Sequence, residues 1–292
     1  MSSVPRLPEF LIIGAIKAAT SWLTLQLQQS SAVFLPKPEP HYFTREFHRG
    51  LDWYRSLFAP AQPRQVVGEK TADYLADIRA AARIAEILPA ARLLVQLRNP
   101  VDRAYSDYCM LFRRGAVTAN IEDYLDPRRA QFRRFLDNGL YNAHLTRWMG
   151  LFPREQFAIL LFDDVVTQPQ STLAQVATHI GMTRGLVAQP TMLKVNDSRA
   201  AMLPLALRRL LAPAKGLAAP LRGLRWFEAA RATAARTIAY PPLPDETRSR
   251  LEEFYAPDIG ALSELIRRDL SHWLPPSGSQ QIAVSRAQLK VN

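Results

Sequence analysis

Two short segments of the chain combine basic and hydroxyl side chains in a spacing that suits anions. In the first, residues 14–22, Lys17 and Thr20 follow a short apolar run and precede a helical pattern. A loop between a strand and a helix presents backbone N–H groups and the positive end of the helix dipole, to which Lys17 adds a charge and Thr20 a hydroxyl. The segment therefore predicts a site for a phosphate or sulfate group.

The second segment, residues 97–108, predicts another anion site at the end of a buried strand. Arg98 follows that strand, Asn99 is a suitable helix cap, and Pro100 suits the first position of a helix. Ser106 then lies about two turns along the helix, so that a guanidinium and a hydroxyl could share a second anion. Two such sites predict a ligand with two phosphate-like groups.

The elements that carry these segments alternate along the first 180 residues. Strands are predicted at Glu9–Ile13, Gln65–Gly68, Arg92–Leu97 and Gln156–Phe162. Helices are predicted at Trp22–Gln29, Asp77–Leu88, Pro100–Arg113, Tyr141–Leu151 and Ser171–Ile180. This alternation is typical of an α/β fold, with a central parallel sheet flanked by helices. Beyond about Ala200 only helical patterns continue, to Trp273, which predicts a helical C-terminal part.

The length and composition favour one domain. A chain of 292 residues with 48% hydrophobic content can bury one large core, and no Gly/Ser linker divides it. We assign residues 1–274 to that domain and expect 275–292 to form a loosely ordered polar tail. The stretch 203–236 mixes arginines with large apolar residues. Residues 200–240 could form a lid or acceptor-side insertion, a basic surface that contacts an anionic membrane, or ordinary packed helices.

The net charge and the cysteine content limit the kinds of partner and the cellular location that we expect. A net charge of +11 favours polyanions, anionic small molecules or acidic membrane surfaces as partners. No zinc-finger spacing, helix-turn-helix signature or aromatic RNA-binding motif is present, so specific nucleic-acid binding is not expected. The lone Cys109 and the lack of a signal-peptide pattern predict a cytoplasmic protein. The oligomeric state stays open.

The Lys17 loop differs from that of nucleotide triphosphatases. Their loop requires glycine directly before Lys-Ser/Thr, whereas Lys17 precedes Ala18 and Ala19. The strand at 92–97 also leads into Arg98, where a kinase would place an acidic magnesium ligand. We therefore expect anion transfer without a metal, with an atypical P-loop kinase as the alternative.

Several motifs together resemble the sulfotransferases that use 3′-phosphoadenosine 5′-phosphosulfate (PAPS), especially the branch of heparan sulfate N- and 3-O-sulfotransferases and their bacterial relatives. The strongest match is the Arg-Asn-Pro-x-x-Arg-Ala-Tyr-Ser-x-Tyr run that begins at Arg98. Weaker matches lie at 14–22, 36–43, 68–75, 139–148 and 260–273. The resemblance implies a P-loop-like parallel sheet and a cytoplasmic, bacterial-type enzyme.

For the donor, the resemblance implies a cradle around the 5′-phosphosulfate. Lys17 is expected near the bridging oxygen, where it would stabilise the charge that develops as the sulfuryl group leaves. Backbone and hydroxyl donors are expected from the five residues that follow, Ala18, Ala19, Thr20, Ser21 and Trp22. Arg98 and Ser106 are expected to hold the 3′-phosphate, both of PAPS and of the product 3′,5′-adenosine bisphosphate (PAP).

For the acceptor, the resemblance implies Glu39 as the general base and Lys70 as a group near the transferring sulfuryl oxygens. His41 is the alternative base. The acceptor is expected to offer a hydroxyl or amine on a carbohydrate, glycolipid or small molecule, and anionic and lipid-linked acceptors both stay open. Glu69 could pair with Lys70 or orient it.

Two residues depart from the family pattern. Ala19 stands where glycine is usual, and Pro38 stands where lysine usually precedes the glutamate. A module that binds PAP without catalysis is therefore a further alternative. Asp163 and Asp164 are expected to cap the next helix rather than bind a metal, and Arg113 and Arg114 either line an anion path or form a solvated helix end.

Overall fold

A computed structural model describes residues 6–182, 185–188 and 237–274 of the chain. The described strands are β1 (Phe10–Gly14), β2 (Val33–Phe34), β3 (Val66–Lys70), β4 (Arg92–Leu97) and β5 (Phe157–Leu161). The described helices are α1 (Thr20–Gln28), α2 (Gly50–Ser56), α3 (Ala80–Ile87), α4 (Pro100–Arg114), α5 (Glu122–Leu125), α6 (Arg134–Asp137), α7 (Tyr141–Met149), α8 (Phe162–Thr167), α9 (Pro169–His179) and α10 (Asp245–Ile266). Single 3₁₀ turns lie at Phe47–Arg49, Arg154–Gln156 and Ser271–Trp273.

The strands form one parallel sheet in the order β2-β3-β1-β4-β5. Ile12 of β1 pairs with Lys70 of β3 on one side and Leu94 of β4 on the other. The three central strands therefore run in near register and end at the same edge. In such sheets a ligand usually binds at the carboxyl ends of the strands, at the point where the strand order reverses.

Both faces of the sheet are buried, which explains why most residues of its strands are apolar. Successive residues of β1 enter different cores, with Leu11 and Ile13 on one face and Phe10 and Ile12 on the other. Helices α3, α4, α7 and α10 pack on the first face. Helices α1 and α9 pack on the second. The α/β fold with helices on both sides of a parallel sheet is confirmed.

The strands and helices predicted between residues 9 and 180 are all present, and their bounds match the predicted ones or differ by at most three residues. The two-residue strand β2 was not predicted, because it is too short to produce a pattern. Residues 237–244, expected to be helical, have no regular structure, and α10 begins only after Pro244. Most of the 200–240 segment and the tail at 275–292 lie outside the described residues.

The expectation that Asp163 and Asp164 cap a helix was wrong. Both lie in the first turn of α8, and neither side chain bonds to the helix end. Asp163 instead accepts hydrogen bonds from His272 Nε2 (3.0 Å) and Trp273 Nε1 (2.9 Å). Asp164 pairs with the Arg268 guanidinium at 3.0 Å. The two carboxylates thus attach the end of the described chain to the edge of the sheet.

Within the described residues, none of the helices combines the length and the apolarity that crossing a membrane requires.

The start of α4 follows the sequence prediction closely. Asn99 Oδ1 accepts from the amides of Val101 (2.9 Å) and Asp102 (3.4 Å), and Pro100 takes the first helical position. The cap satisfies amides that the helix itself leaves without partners. It also sets the direction of the helix that carries Ser106.

We expect Asn99→Ala to lower the free energy of unfolding by about 1 kcal/mol, because the capping acceptor is lost. Urea denaturation followed by circular dichroism measures this loss. Asn99→Ser retains a capping oxygen and is the matched control. Equal stability of Asn99→Ala and the wild type would show that the cap contributes nothing.

Candidate active site

The carboxyl ends of β1, β3 and β4 border one cleft of about 1130 Å³. All but one of the residues predicted to bind the donor or to take part in catalysis line this cleft. Among the predicted residues these are Lys17, Ala19, Thr20, Ser21, Trp22, Glu39, His41, Lys70, Arg98 and Ser106. Ala18 is the exception, since it is fully buried beneath the loop. The sheet order thus brings together segments that lie up to 90 residues apart in the chain.

The loop between β1 and α1 forms the floor of the cleft. Lys17 (φ 68°) and Ala19 (φ 66°) both adopt the left-handed backbone conformation. For a residue with a Cβ this conformation costs about 1 kcal/mol more than for glycine. The position of Ala19 is therefore one that favours the glycine usual in the family. Ala19 retains the backbone shape at an energetic cost.

Some backbone amides of this loop donate hydrogen bonds within the loop, whereas others are left to bind a ligand. Ala18 N donates to Ala15 O (3.2 Å) and Trp22 N donates to Ala19 O (2.9 Å), so these two predicted donors are already used. The first turn of α1 begins at Thr20, and the amides of a first turn project beyond the helix N-terminus. Thr20 and Ser21 therefore remain the best-placed donors for an anion.

Lys17 is half-buried above this floor, and among the described residues its ammonium makes no hydrogen bond or ion pair. Burial lowers its pKa from the usual 10.5, and the Arg98 and Arg114 guanidinium groups lower it further. The Asp107 carboxylate acts in the opposite direction. An anion in the cleft would oppose this lowering of the pKa, because a nearby negative charge favours the charged ammonium.

Arg98 is held at the end of β4 from two sides. Its guanidinium lies over the Phe162 ring, 4.9 Å from the centroid, and its carbonyl accepts a hydrogen bond from the buried Tyr141 hydroxyl (2.9 Å). Ser106 reaches the same cleft from the middle of α4. The guanidinium and the hydroxyl that were predicted to share an anion thus line the same cleft.

Glu39 and Lys70 form the central ion pair of the cleft. The Lys70 ammonium donates to Glu39 Oε1, and the Ala72 amide donates to Glu39 Oε2 (3.3 Å). The Lys70 side chain is 10% exposed and that of Glu39 is 35% exposed. Pro38 therefore does not turn Glu39 away, and the carboxylate stays accessible from the cleft.

His41 lies beside this pair and is fixed by Asp73. Its Nδ1 is 2.9 Å from Asp73 Oδ2, and Thr44 Oγ1 is 3.4 Å from Asp73 Oδ1. The His41 amide donates to Thr71 Oγ1 (3.2 Å), and its own φ of 50° is left-handed. With Nδ1 bonded to a carboxylate, the second ring nitrogen, Nε2, is the one left for other chemistry.

Glu69 does not pair with Lys70, contrary to one of the two roles considered for it. Lys70 pairs with Glu39, whereas the Glu69 side chain is fully buried in the core near the Tyr54 and Tyr74 hydroxyls. No hydrogen bond within 3.5 Å reaches either carboxyl oxygen. Burial raises the pKa of Glu69 to about 8, and the two hydroxyls offset only part of that effect.

Other residues of the cleft wall were not predicted as site residues. They are Arg45, Asp73, Asp102, Tyr105, Arg134, Phe162 and Tyr240. Most lie on helix faces or loops whose approach to the cleft only the tertiary fold decides. Asp73 carried a sequence signal, since it follows Lys70 by three residues in a segment that already carried a motif. Arg113 and Arg114 also line the cleft, which favours the anion path over a merely solvated helix end.

Among the described residues, no group of three or more His, Cys, Asp or Glu side chains is arranged to hold a metal ion.

Comparison with known proteins matches this chain to sulfotransferases. The model of the sulfotransferase family matches residues 54–184. Heparan sulfate glucosamine 3-O-sulfotransferase 6 of Homo sapiens is 33% identical over 189 residues, which are 61% of this chain and 54% of that protein. Heparan sulfate glucosamine 3-O-sulfotransferase 3B1 of Mus musculus is 32% identical over 186 residues, 61% of this chain and 47% of that protein. The chain thus spans about half the length of these curated relatives.

A solved structure extends the likeness to nearly the whole chain. The sulfotransferase from Alicyclobacillus acidocaldarius superposes with a TM-score of 0.67 at 25% identity, covering 92% of this chain and 99% of its own. The resemblance that the motifs indicated is therefore confirmed, as is the fold class.

The buried Glu69 generates a prediction about stability and pH. Its pKa is about 8 in the folded protein against 4.5 for an ordinary glutamate, so between these values the folded state holds a proton that the unfolded state has lost. Its contribution to stability is therefore complete below pH 4.5 and is lost as the pH rises towards 8, by up to about 1.4 kcal/mol per pH unit.

We expect Glu69→Gln to remove this dependence, because an amide cannot ionise. Urea denaturation of the wild type and the variant at several values between pH 5 and pH 8 measures the difference between them. That difference should grow in favour of the variant as the pH rises. A constant difference would show that Glu69 does not change its protonation in this range.

Proposed function

We propose that this chain, a match to the sulfotransferases in motif and fold, is an enzyme that transfers a sulfuryl group from PAPS to a hydroxyl or amine and releases PAP. One observation carries the proposal. Two sets of residues that suit an anion, Lys17 with the N-terminus of α1 and Arg98 with Ser106, line the same cleft as an accessible carboxylate, Glu39, bonded to Lys70. A donor with phosphates at both its 3′ and 5′ positions suits the two sets of anion-binding residues, and an acceptor that loses a proton suits Glu39.

The charges of the cleft residues suit the two anionic groups of the donor. The N-terminus of α1 and the Lys17 ammonium suit the 5′-phosphosulfate. Arg98 and Ser106 suit the 3′-phosphate, because a guanidinium and a hydroxyl supply several donors to one anion. A site built for that extra phosphate discriminates against nucleotides that lack it, since its buried donors are then unpaired.

The transfer step is a displacement at sulfur. The acceptor oxygen or nitrogen forms a bond to the sulfur atom while the bond from sulfur to the bridging oxygen breaks. The electron pair of the broken bond stays on that oxygen, which becomes part of the 5′-phosphate of PAP. Lys17 stabilises the charge that develops there, and so favours the transition state over the ground state.

Glu39 accepts the proton that the acceptor loses. A general base must lie within hydrogen-bond reach of that proton and must be accessible. Glu39 is accessible, and its bonds to Lys70 and Ala72 hold the carboxylate in place. Lys70, which lines the same cleft, is the proposed contact of the sulfuryl oxygens. His41, oriented by Asp73, is the second candidate base.

The proposed acceptor is a carbohydrate, glycolipid or small molecule that carries a hydroxyl or amine. The named relatives are heparan sulfate glucosamine 3-O-sulfotransferases, which supports a glucosamine-containing carbohydrate as the first acceptor to test. Arg45, an exposed arginine of the cleft wall beside His41, supports an acceptor with an acidic group. The cytoplasmic location, the single domain over 1–274 and contact with a membrane stay predictions.

The donor proposal is tested by calorimetric titration of the full chain, in EDTA, with PAP and separately with adenosine 5′-monophosphate. We expect PAP to bind more tightly, and Arg98→Ala to weaken PAP binding about 10- to 100-fold through loss of charge-assisted hydrogen bonds. Arg92→Ala, at the opposite end of β4, is the matched control. Equal binding of the two nucleotides would overturn the donor assignment.

The assignment of the base is tested by turnover of PAPS to PAP with heparan sulfate as the acceptor. We expect Glu39→Gln to lower kcat about 100-fold or more, the contribution typical of a general base, while PAP affinity is retained. Glu46→Gln, which removes a carboxylate from the same loop outside the cleft, is the control. If His41→Asn or Asp73→Asn produces the larger loss, the proton acceptor is His41. Binding of PAP without turnover of PAPS by any acceptor would support the non-catalytic module.

A further inference from the structure

The 3₁₀ turn Ser271–Trp273, which we call the C-terminal turn, belongs to a motif that the proposed mechanism leaves without a role. Trp273 is 2% exposed and packs in the core on the first face of the sheet. Its Nε1 donates a hydrogen bond of 2.9 Å to Asp163 Oδ2, and its ring lies against that of Tyr141, with 6.5 Å between the centroids. Asp163 and Tyr141 connect this turn to the surroundings of Arg98.

Arg98 lies just beyond the paired part of the sheet. Leu97 of β4 pairs with Leu161 of β5, and this is the last pair of the two strands. Arg98 and Phe162 are the residues that follow, so side-chain contacts, and not strand pairing, set the position of the guanidinium. The Phe162 ring lies 4.9 Å from the guanidinium carbon, and the Tyr141 hydroxyl donates to the Arg98 carbonyl.

The C-terminal turn supports both of these contacts. Asp163 directly follows Phe162 in the first turn of α8, so its bond to Trp273 holds the start of the helix that carries the Phe162 ring. With six residues, α8 is too short to be stable without such packing. On the other side of Arg98, the Trp273 ring packs against Tyr141, which is fully buried. One side chain therefore contacts the supports of the guanidinium and of the carbonyl.

We infer that Trp273, through its bond to Asp163 and its contact with Tyr141, is a positioning residue for Arg98 and thereby for binding of the 3′-phosphate. The inference rests on the proposed function, in which Arg98 binds that phosphate. Trp273 itself is not a residue of the cleft wall. An arginine side chain loses rotamer freedom when it binds an anion, so contacts that fix the guanidinium beforehand raise the affinity for that anion.

Calorimetric titration of the full chain with PAP and with adenosine 5′-monophosphate tests this role. Trp273→Phe retains a ring beside Tyr141 but lacks the N–H donor, and Asp163→Ala lacks the acceptor. We expect each variant to bind PAP about 3- to 10-fold more weakly, the usual effect of one hydrogen bond. Binding of the monophosphate should not change, because it has no 3′-phosphate. Asp163→Asn retains an oxygen acceptor and should bind PAP like the wild type.

Further variants separate positioning of Arg98 from general packing. Arg98→Ala/Trp273→Phe should bind PAP no more weakly than Arg98→Ala, because the guanidinium that Trp273 positions is already absent. Arg268→Gln breaks the exposed pair with Asp164 in the same part of the chain, and exposed pairs contribute little, so PAP affinity should be unchanged. Circular dichroism checks that each variant folds. The Asp163 side chain is 47% exposed, so Asp163→Ala provides the test if Trp273→Phe does not fold.

The inference is overturned if the folded variants bind PAP as tightly as the wild type, or if they lose affinity for both nucleotides equally. It is also overturned if the loss in Trp273→Phe adds to that in Arg98→Ala, or if Arg268→Gln weakens PAP binding as much. Equal binding of the two nucleotides by the wild type would overturn the donor assignment and this inference with it. A wild type that discriminates between them, together with variants that match it, would overturn the inference alone.

Discussion

The parallel pairing of β1 with both β3 and β4 is the constraint on which the rest of this protein depends. Strands buried on both faces are mostly apolar, so polar chemistry is concentrated at the strand ends and in the loops that follow them. Because the three strands are in near register, the loops that carry Lys17, Lys70 and Arg98 leave the sheet at one edge. Side chains from three distant segments thereby share a cleft.

The same geometry concentrates positive charge in that cleft, which is electrostatically unfavourable. Burial disfavours the charge of Lys17, and the Arg98 and Arg114 guanidinium groups disfavour it further. Such an arrangement is retained where an anionic ligand offsets it. Next to Ser106 on α4, the Asp107 carboxylate is buried between the Arg103 and Arg134 guanidinium groups.

The two departures from the family pattern, Ala19 and Pro38, are accommodated by the backbone of their own loops. Ala19 adopts a left-handed conformation that glycine would adopt more easily, yet the loop forms. Pro38 precedes Glu39, yet Glu39 still bonds to Lys70 and Ala72. The histidine of this loop is oriented by Asp73, from the loop after β3, and not by a residue of its own segment. These accommodations leave the groups of the proposed mechanism in the cleft, which supports the proposal of an enzyme over that of a binding module.

The sequence by itself determined the α/β class, nearly every strand and long helix, the cap at Asn99 and the two segments, at Lys17 and at Arg98, that line the cleft. These features depend on local patterns of apolar residues and on turn and cap chemistry, which a linear chain displays. Only the tertiary structure decided that Lys70 pairs with Glu39 and not with Glu69, that Asp73 orients His41, and that Asp163 and Asp164 attach the end of the described chain rather than cap a helix. Such pairings join segments 30 to 110 residues apart, so they depend on strand order and on which face of an element is buried.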